Sequence, residues 1–124
     1  MATWSPEELD RIGATDELDI APVGDDGSLR PYTTIWVVRV GDDLYVRSYR
    51  GRGGGWFSRA LQSHQGRIRA GGVERDVTFS EPDGTVRAAI DQTYRTKYAR
   101  YGDTYVVPMV SPDAAAATFA LTPR

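Results

Sequence analysis

The 124-residue sequence contains no cysteine. That absence removes disulfides, thiolate nucleophiles, iron–sulfur clusters and cysteine zinc sites together. It contains one histidine, His64, so a multi-histidine metal centre and a cysteine–histidine dyad are excluded as well. No stretch approaches the ~18 apolar residues that a membrane-spanning helix needs. The opening segment MATWSPEELDRIG is acidic and has no apolar run, unlike a secretory or transit peptide. These features predict a cytoplasmic protein with no metal centre. Lysine is nearly missing too: fourteen of the fifteen basic residues are arginine. Hydrophobic residues at 40% and charged residues at 26% suit one ordinary globular domain spanning 1–124 and exclude a mainly disordered chain.

Charge is unevenly distributed along the chain. Residues 1–27 carry eight acids against one base, whereas residues 28–69 carry eight arginines against Asp42 and Asp43. A nucleic-acid-binding domain usually has a basic excess overall, and here the net charge is −2. A local arginine cluster suits a phosphate or carboxylate on a small ligand. The alternative is a solvated face paired with the acidic amino-terminal segment.

Ser5-Pro6-Glu7-Glu8 reads as a capping box opening a short helix that Gly13 ends. Glu17–Val23 alternates weakly. Thr33–Val40 is rich in β-branched and aromatic residues and, across Gly41-Asp42-Asp43, forms a hairpin with Leu44–Arg50. Gly51–Gly55 is expected to be a flexible loop, and Trp56–His64 has helical spacing. Arg67–Ala70 and Val73–Phe79 read as a second hairpin. Val86–Tyr101 is the longest expected helix, with Ile90, Tyr94, Tyr98 and Tyr101 as an apolar-aromatic stripe. A short helix then begins at Ser111-Pro112-Asp113, and Thr118–Thr122 is a closing strand. Hairpins dominate, so a mainly antiparallel sheet of six strands, closed or packed by helices, is expected.

The segment RGRGGGW follows a strand and precedes a helix, where backbone N–H groups can cradle a phosphate. It matches neither the P-loop nor the dinucleotide fingerprint. Arg47 and Ser48 end the preceding strand, and Arg50 and Arg52 flank the loop. Forked arginine donors and a serine hydroxyl suit a phosphate. Trp36 and Trp56 are candidates to stack on a flat ring, or else to pack the core. RGRGGG also has the look of an RNA-binding fragment, although it is short and occurs once. The tyrosine stripe reads as packing, and His64 has no evident carboxylate partner.

The block from Thr33 to Gly72 resembles the split β-barrel flavin-binding proteins, namely the pyridoxamine-phosphate-oxidase-like group and, more closely, the deazaflavin-dependent nitroreductases. The corresponding pieces are Ile35–Val40, Gly41–Asp43, Leu44–Ser48, Arg50–Gly55, Trp56–Leu61 and Ile68–Gly72. The whole chain, from WSPEELDRI to VVPMVSP, is also similar to a small domain-of-unknown-function family related to that superfamily. The resemblance implies a mainly β fold, a six-stranded, mostly antiparallel split barrel with flanking helices. It implies a homodimer with ligand sites at the interface, and FMN or a deazaflavin coenzyme as cofactor. Arg47 and Ser48 would contact the cofactor phosphate, Arg50 and Arg52 would lie in the phosphate-side loop, and Thr34 and Trp36 would back the ring system. Replacing Arg47 with alanine would then weaken cofactor binding and leave the fold intact. The sequence departs from the pattern in lacking the loop lysine and in reducing the Arg-x-Ser-Gly entry to Leu29-Arg30-Pro31. The leading expectation is a flavin- or deazaflavin-binding oxidoreductase-like protein acting on a small molecule. A non-catalytic small-ligand module on the same barrel, or a weak nucleic-acid binder using RGRGGG, are the alternatives.

Overall fold

A computed structural model describes residues 3–124. Helix α1 (Pro6–Ala14) starts as its sequence dictates: the Ser5 hydroxyl accepts from the Glu8 amide, and the Glu8 carboxylate accepts from the Ser5 amide. Leu9 and Ile12 are its buried face. The helix runs one residue past Gly13, and the Arg39 side chain packs where a Cβ at Gly13 would sit, about 3.2 Å away.

Seven strands follow: β1 (Glu17–Pro22), β2 (Thr33–Trp36), β3 (Val38–Val40), β4 (Asp43–Arg47), β5 (Gln65–Ala70), β6 (Val73–Ser80) and β7 (Thr118–Pro123). They form one sheet in the order β2-β1-β5-β6-β7-β4-β3, with every pairing antiparallel. The seventh strand arises because the expected run Thr33–Val40 breaks at Val37. Its first half pairs with β1 and its second half with β4, at opposite ends of the sheet. One short bend therefore joins both edges, and the sheet is a barrel split at a single residue.

That residue needs help from outside the sheet. Val37 is fully buried, and a buried backbone group without a partner costs roughly 1–3 kcal/mol. Its amide donates to the Tyr98 hydroxyl at 3.0 Å, and its carbonyl accepts from Lys97 Nζ at 2.6 Å. The Tyr98 proton has two acceptors in reach, the Val37 carbonyl at 2.8 Å and the Asp16 carbonyl at 2.7 Å. The end of helix α3 (Arg87–Lys97) thus completes the hydrogen bonding that the strand break interrupts.

Inside the barrel, Leu18, Ile20, Leu44, Val46, Ile68, Val77, Phe79, Phe119 and Leu121 pack with Phe57 of helix α2 (Gly55–Ser63) and with Leu9 and Ile12 of α1. A second cluster lies between β3, β4 and the helices: Val38, Tyr45, Ile90, Tyr94, Tyr98, Val106 and Met109. The last two belong to α4 (Asp103–Met109), which is followed by α5 (Pro112–Ala116). The expected helix Val86–Tyr101 is shorter as an α-helix and is flanked by 3-10 turns at Gly84–Val86 and Ala99–Tyr101.

Candidate functional site

A cavity of about 750 Å³ opens beside the strand break. One wall is β2, with Thr33, Thr34, Ile35 and Trp36. A second is the end of β4 and the turn after it, Arg47 to Arg50. A third is the start of α2, with Gly54, Gly55, Trp56 and Arg59, and α4 covers the rest through Thr104, Tyr105, Pro108 and Met109. The lining holds three arginines and no carboxylate or histidine. Such a wall favours anions, and the tryptophans give it apolar ring surface.

The fold assembles six of the seven residues singled out from the sequence: Thr34, Trp36, Arg47, Ser48, Arg50 and Trp56 all line this cavity. Arg52 does not. It points away, donating to the Glu81 carboxylate and to the Ala116 carbonyl. The reason is local. Strand β4 ends at Arg47, and Arg50 to Gly53 turn at once into a 3-10 helix, with Gly51 at φ +76°. The loop expected to be flexible is this turn plus the amino-terminus of α2.

Each site side chain has a definite setting. Ser48 is buried, and its hydroxyl makes no hydrogen bond among the described residues. The Gly54 backbone comes so close to it that a Cβ there would lie 2.6 Å from Ser48 Oγ. No side chain caps α2 at Gly54, and Gly54, Gly55 and Trp56 of its first turn line the cavity together with Ser48. Trp36 stacks face to face on Tyr98, with centroids 3.8 Å apart and planes within 1°. Trp56 packs edge-on to Phe57 and also contacts the barrel cluster. Both tryptophans therefore serve core and cavity at once. Thr34 donates its hydroxyl to Asp19 at 2.6 Å.

Arg47 is the most constrained member. Its side chain is only 1% exposed. Nη1 donates to Asp91 at 2.5 Å and to the Met109 carbonyl at 2.9 Å, and Nε donates to Thr118 Oγ1 at 3.0 Å. It ties β4, α3, α4 and β7 together, and its Nη2 has no partner among the described residues. Removing such a side chain would leave Asp91 only its longer contact with Arg87, at 3.7 Å, and would untie four elements, so these contacts argue against the expectation that Arg47→Ala leaves the fold intact. A smaller cavity of about 280 Å³ lies on the other side of Arg47, between Glu81–Arg87 and α5.

The other arginines divide clearly. Arg39 pairs with Asp10 and Arg69 with Asp19, so for these two the basic cluster is matched by the acidic amino-terminal segment. Arg67 pairs with Asp76. Arg50 and Arg59 have no ion pair among the described residues, and both line the cavity. The Arg50 Nε–H donates to the Tyr49 hydroxyl at 3.0 Å. Sequence reasoning missed Arg59, although its position three residues after Trp56 puts both on one helix face. It also missed α4, which only tertiary packing brings over the cavity. His64 is exposed and caps α2 in the left-handed region at φ 58°. Among the described residues no group of His, Cys, Asp and Glu is arranged to hold a metal ion, and no helix is long and apolar enough to cross a membrane.

A barrel closed through one bend, with a basic and aromatic cavity at the seam, defines a split-barrel protein. The chain belongs to the family described as "Uncharacterized protein conserved in bacteria (DUF2255)", which matches residues 8–121. No curated protein matches the sequence. The fold is shared with HutZ, the heme storage protein of Vibrio cholerae, at 15% identity and TM-score 0.63, covering 100% of this chain and 92% of that one. It is also shared with an FAD-binding protein of Mesorhizobium loti, at 13% identity and TM-score 0.57, covering 96% and 88%. An F420 reductase aligns at 13% identity and TM-score 0.56, covering 94% and 92%. At these identities the likeness establishes the fold.

Proposed function

We propose that the large cavity binds a flavin-type cofactor, FMN or a deazaflavin coenzyme, and that the protein uses it in oxidation–reduction of a small molecule. The observation that carries this reading is the composition of the wall: three arginines, no carboxylate, and two tryptophans at the cavity surface. The similar folds of an FAD-binding protein and an F420 reductase support it. The residues present fit such a group. The Ser48 hydroxyl, the uncapped amides of the first turn of α2 at Gly55 and Trp56, and the unpaired Arg50 and Arg59 would hold an anionic tail. Trp36 and Trp56 would flank a flat ring, with Trp36 held in place by its stack on Tyr98.

When bound, the ring supplies hydride or electron transfer. The chain's own part is to orient the ring and exclude water, because the lining offers no side chain suited to acid–base work near neutral pH. That same lack is the observation that favours the second reading, a ligand-binding module without turnover. Tyr49, Tyr105 and Val107 are 58%, 63% and 57% exposed at or beside the cavity mouth. Such apolar exposure at a rim marks an interaction surface, and the assembly we propose is a homodimer that covers it.

The test is a fluorescence titration of purified protein with FMN and with the deazaflavin coenzyme. Saturable micromolar binding to one of them, weakened in Arg59→Ala, is the expected result. No binding to either overturns the cofactor reading. Binding without reduction of any electron acceptor moves the protein to the second reading. Sedimentation of wild type against Tyr105→Glu tests the dimer.

A further inference from the structure

The tyrosines beside the cavity are more than packing. We infer that Trp36, Tyr101 and Asp16 form an exit by which a one-electron oxidising equivalent leaves the cavity wall for the protein surface. The use of such an exit rests on the redox ligand proposed above, but the route is a property of this chain alone.

Trp36 lines the cavity, and the Tyr101 ring stands 5.5 Å from it, centroid to centroid. Rings this close exchange electrons readily. Tyr101 is 42% exposed, so the route ends at solvent. Oxidising a phenol at neutral pH requires its proton to leave with the electron, and here an acceptor is in place. The Tyr101 hydroxyl donates to Asp16 Oδ2 at 2.6 Å, a charge-assisted bond of the short kind. Arg100 donates to the same carboxylate oxygen and lies over the Tyr101 ring at 4.8 Å. A cation over the ring disfavours a charged phenol radical there, so electron and proton must depart together.

Tyr98 shows the contrast. It stacks more tightly on Trp36, but its hydroxyl meets only the Val37 amide and two carbonyls, none of which accepts a proton. Burial also pushes its pKa up. Tyr98 therefore holds Trp36 in place while Tyr101 is oxidised.

The steps balance. The Trp36 indole gives one electron to a one-electron oxidant, such as the azide radical, and is left as a radical cation. Tyr101 passes one electron to Trp36, its O–H bond breaks, and the proton goes to Asp16 Oδ2. Trp36 is restored and Tyr101 is left as a neutral phenoxyl radical. A thiol or ascorbate in solution then returns one electron, and Asp16 returns the proton.

Pulse radiolysis with the azide radical, a one-electron oxidant that takes tryptophan first, tests the route with nothing bound in the cavity. In wild type the tryptophan-radical band should decay as the phenoxyl band grows, at a rate independent of protein concentration. Trp36→Phe and Tyr101→Phe should each lose that growth. Asp16→Asn should slow it at least about tenfold, equivalent to ~1.4 kcal/mol of barrier. A Trp4→Phe/Trp56→Phe background confines the first radical to Trp36. If that double variant fails to fold, the comparison of wild type with Tyr101→Phe still decides. Phenoxyl growth that persists in Tyr101→Phe, or none in wild type, overturns the inference. An unchanged rate in Asp16→Asn overturns the proton assignment. A protein that binds FMN but shows no transfer loses the exit and keeps the cofactor reading. Transfer without FMN or deazaflavin binding does the reverse.

Discussion

Replacing Tyr98 with phenylalanine removes one oxygen and keeps the ring that stacks on Trp36. The lost oxygen is the acceptor for the Val37 amide, which is fully buried and lies outside the sheet ladder. The Val37 carbonyl keeps Lys97 as a donor, so the net injury is one unpaired buried N–H and a lost bond to the Asp16 or Val37 carbonyl. Leaving one buried donor unmet costs roughly 1–3 kcal/mol. Unfolding entropy for a chain of this length is roughly 260 cal/mol/K, from about 2.1 per residue, so each kcal/mol lowers Tm by about 4 °C. The expected loss is therefore about 4–12 °C by circular dichroism, with faster hydrogen exchange at the Val37 amide. Tyr94 is the internal control. Its hydroxyl is equally buried, with the Arg47 backbone amide nearby, but makes no hydrogen bond of good geometry. Tyr94→Phe removes a desolvated oxygen and leaves no partner stranded, so Tm should hold or rise slightly. Equal Tm values for the two variants would refute the claim that Tyr98 completes the barrel at Val37.

Arg59→Ala, at an exposed helix position, should leave Tm unchanged and weaken binding of an anionic cofactor by about 10- to 150-fold, the range for one charge-assisted bond, as read by fluorescence titration. Arg47→Ala leaves Asp91 only the Arg87 contact at 3.7 Å and opens contacts among β4, α3, α4 and β7, so urea unfolding should show a loss of up to about 3 kcal/mol; a fold of unchanged stability would refute the structural role of Arg47. Burial pushes the Lys97 ammonium down to about 8. The folded state then binds fewer protons than the unfolded state between that pH and the ordinary lysine value. Wild-type stability should therefore rise relative to Lys97→Met as pH climbs from about 8 to 10, and a flat difference in denaturant midpoints would refute it.

Much of this was legible in the chain, and the exceptions have physical causes. The capping box at Ser5 and Glu8 is local chemistry, so it reads directly. The β3–β4 and β5–β6 hairpins read from alternation and turn residues, and the family resemblance grouped Trp36 with Arg47, Ser48 and Arg50. Three features did not read. The break at Val37 has no proline or glycine to announce it, because the side chains that make it tolerable, Lys97 and Tyr98, come some sixty residues later. Arg52 looked equivalent to Arg50, yet the positive φ at Gly51 turns the chain so that it meets Glu81 instead. Helix α4 had no clear period, and it begins only after Gly102 reverses the chain at φ +86°.

The position of the cavity follows from the break itself. Where the run from Thr33 to Val40 leaves one end of the sheet for the other, β2 and β4 flank a seam with no strand between them. The residues on either side of that seam, Trp36 before the bend and Arg47 and Ser48 at the end of β4, become the cavity wall. The same side chains also hold the seam closed, Trp36 through Tyr98 and Arg47 through Asp91 and Met109. Binding and stability therefore share parts. A ligand that orders Trp36 reinforces the stack under which the Val37 amide is paired, and a variant that loosens the seam disturbs the wall. Arg50 and Arg59 escape this coupling because they are exposed and in no ion pair among the described residues, so their replacement tests the proposed anion binding apart from the stability of the seam.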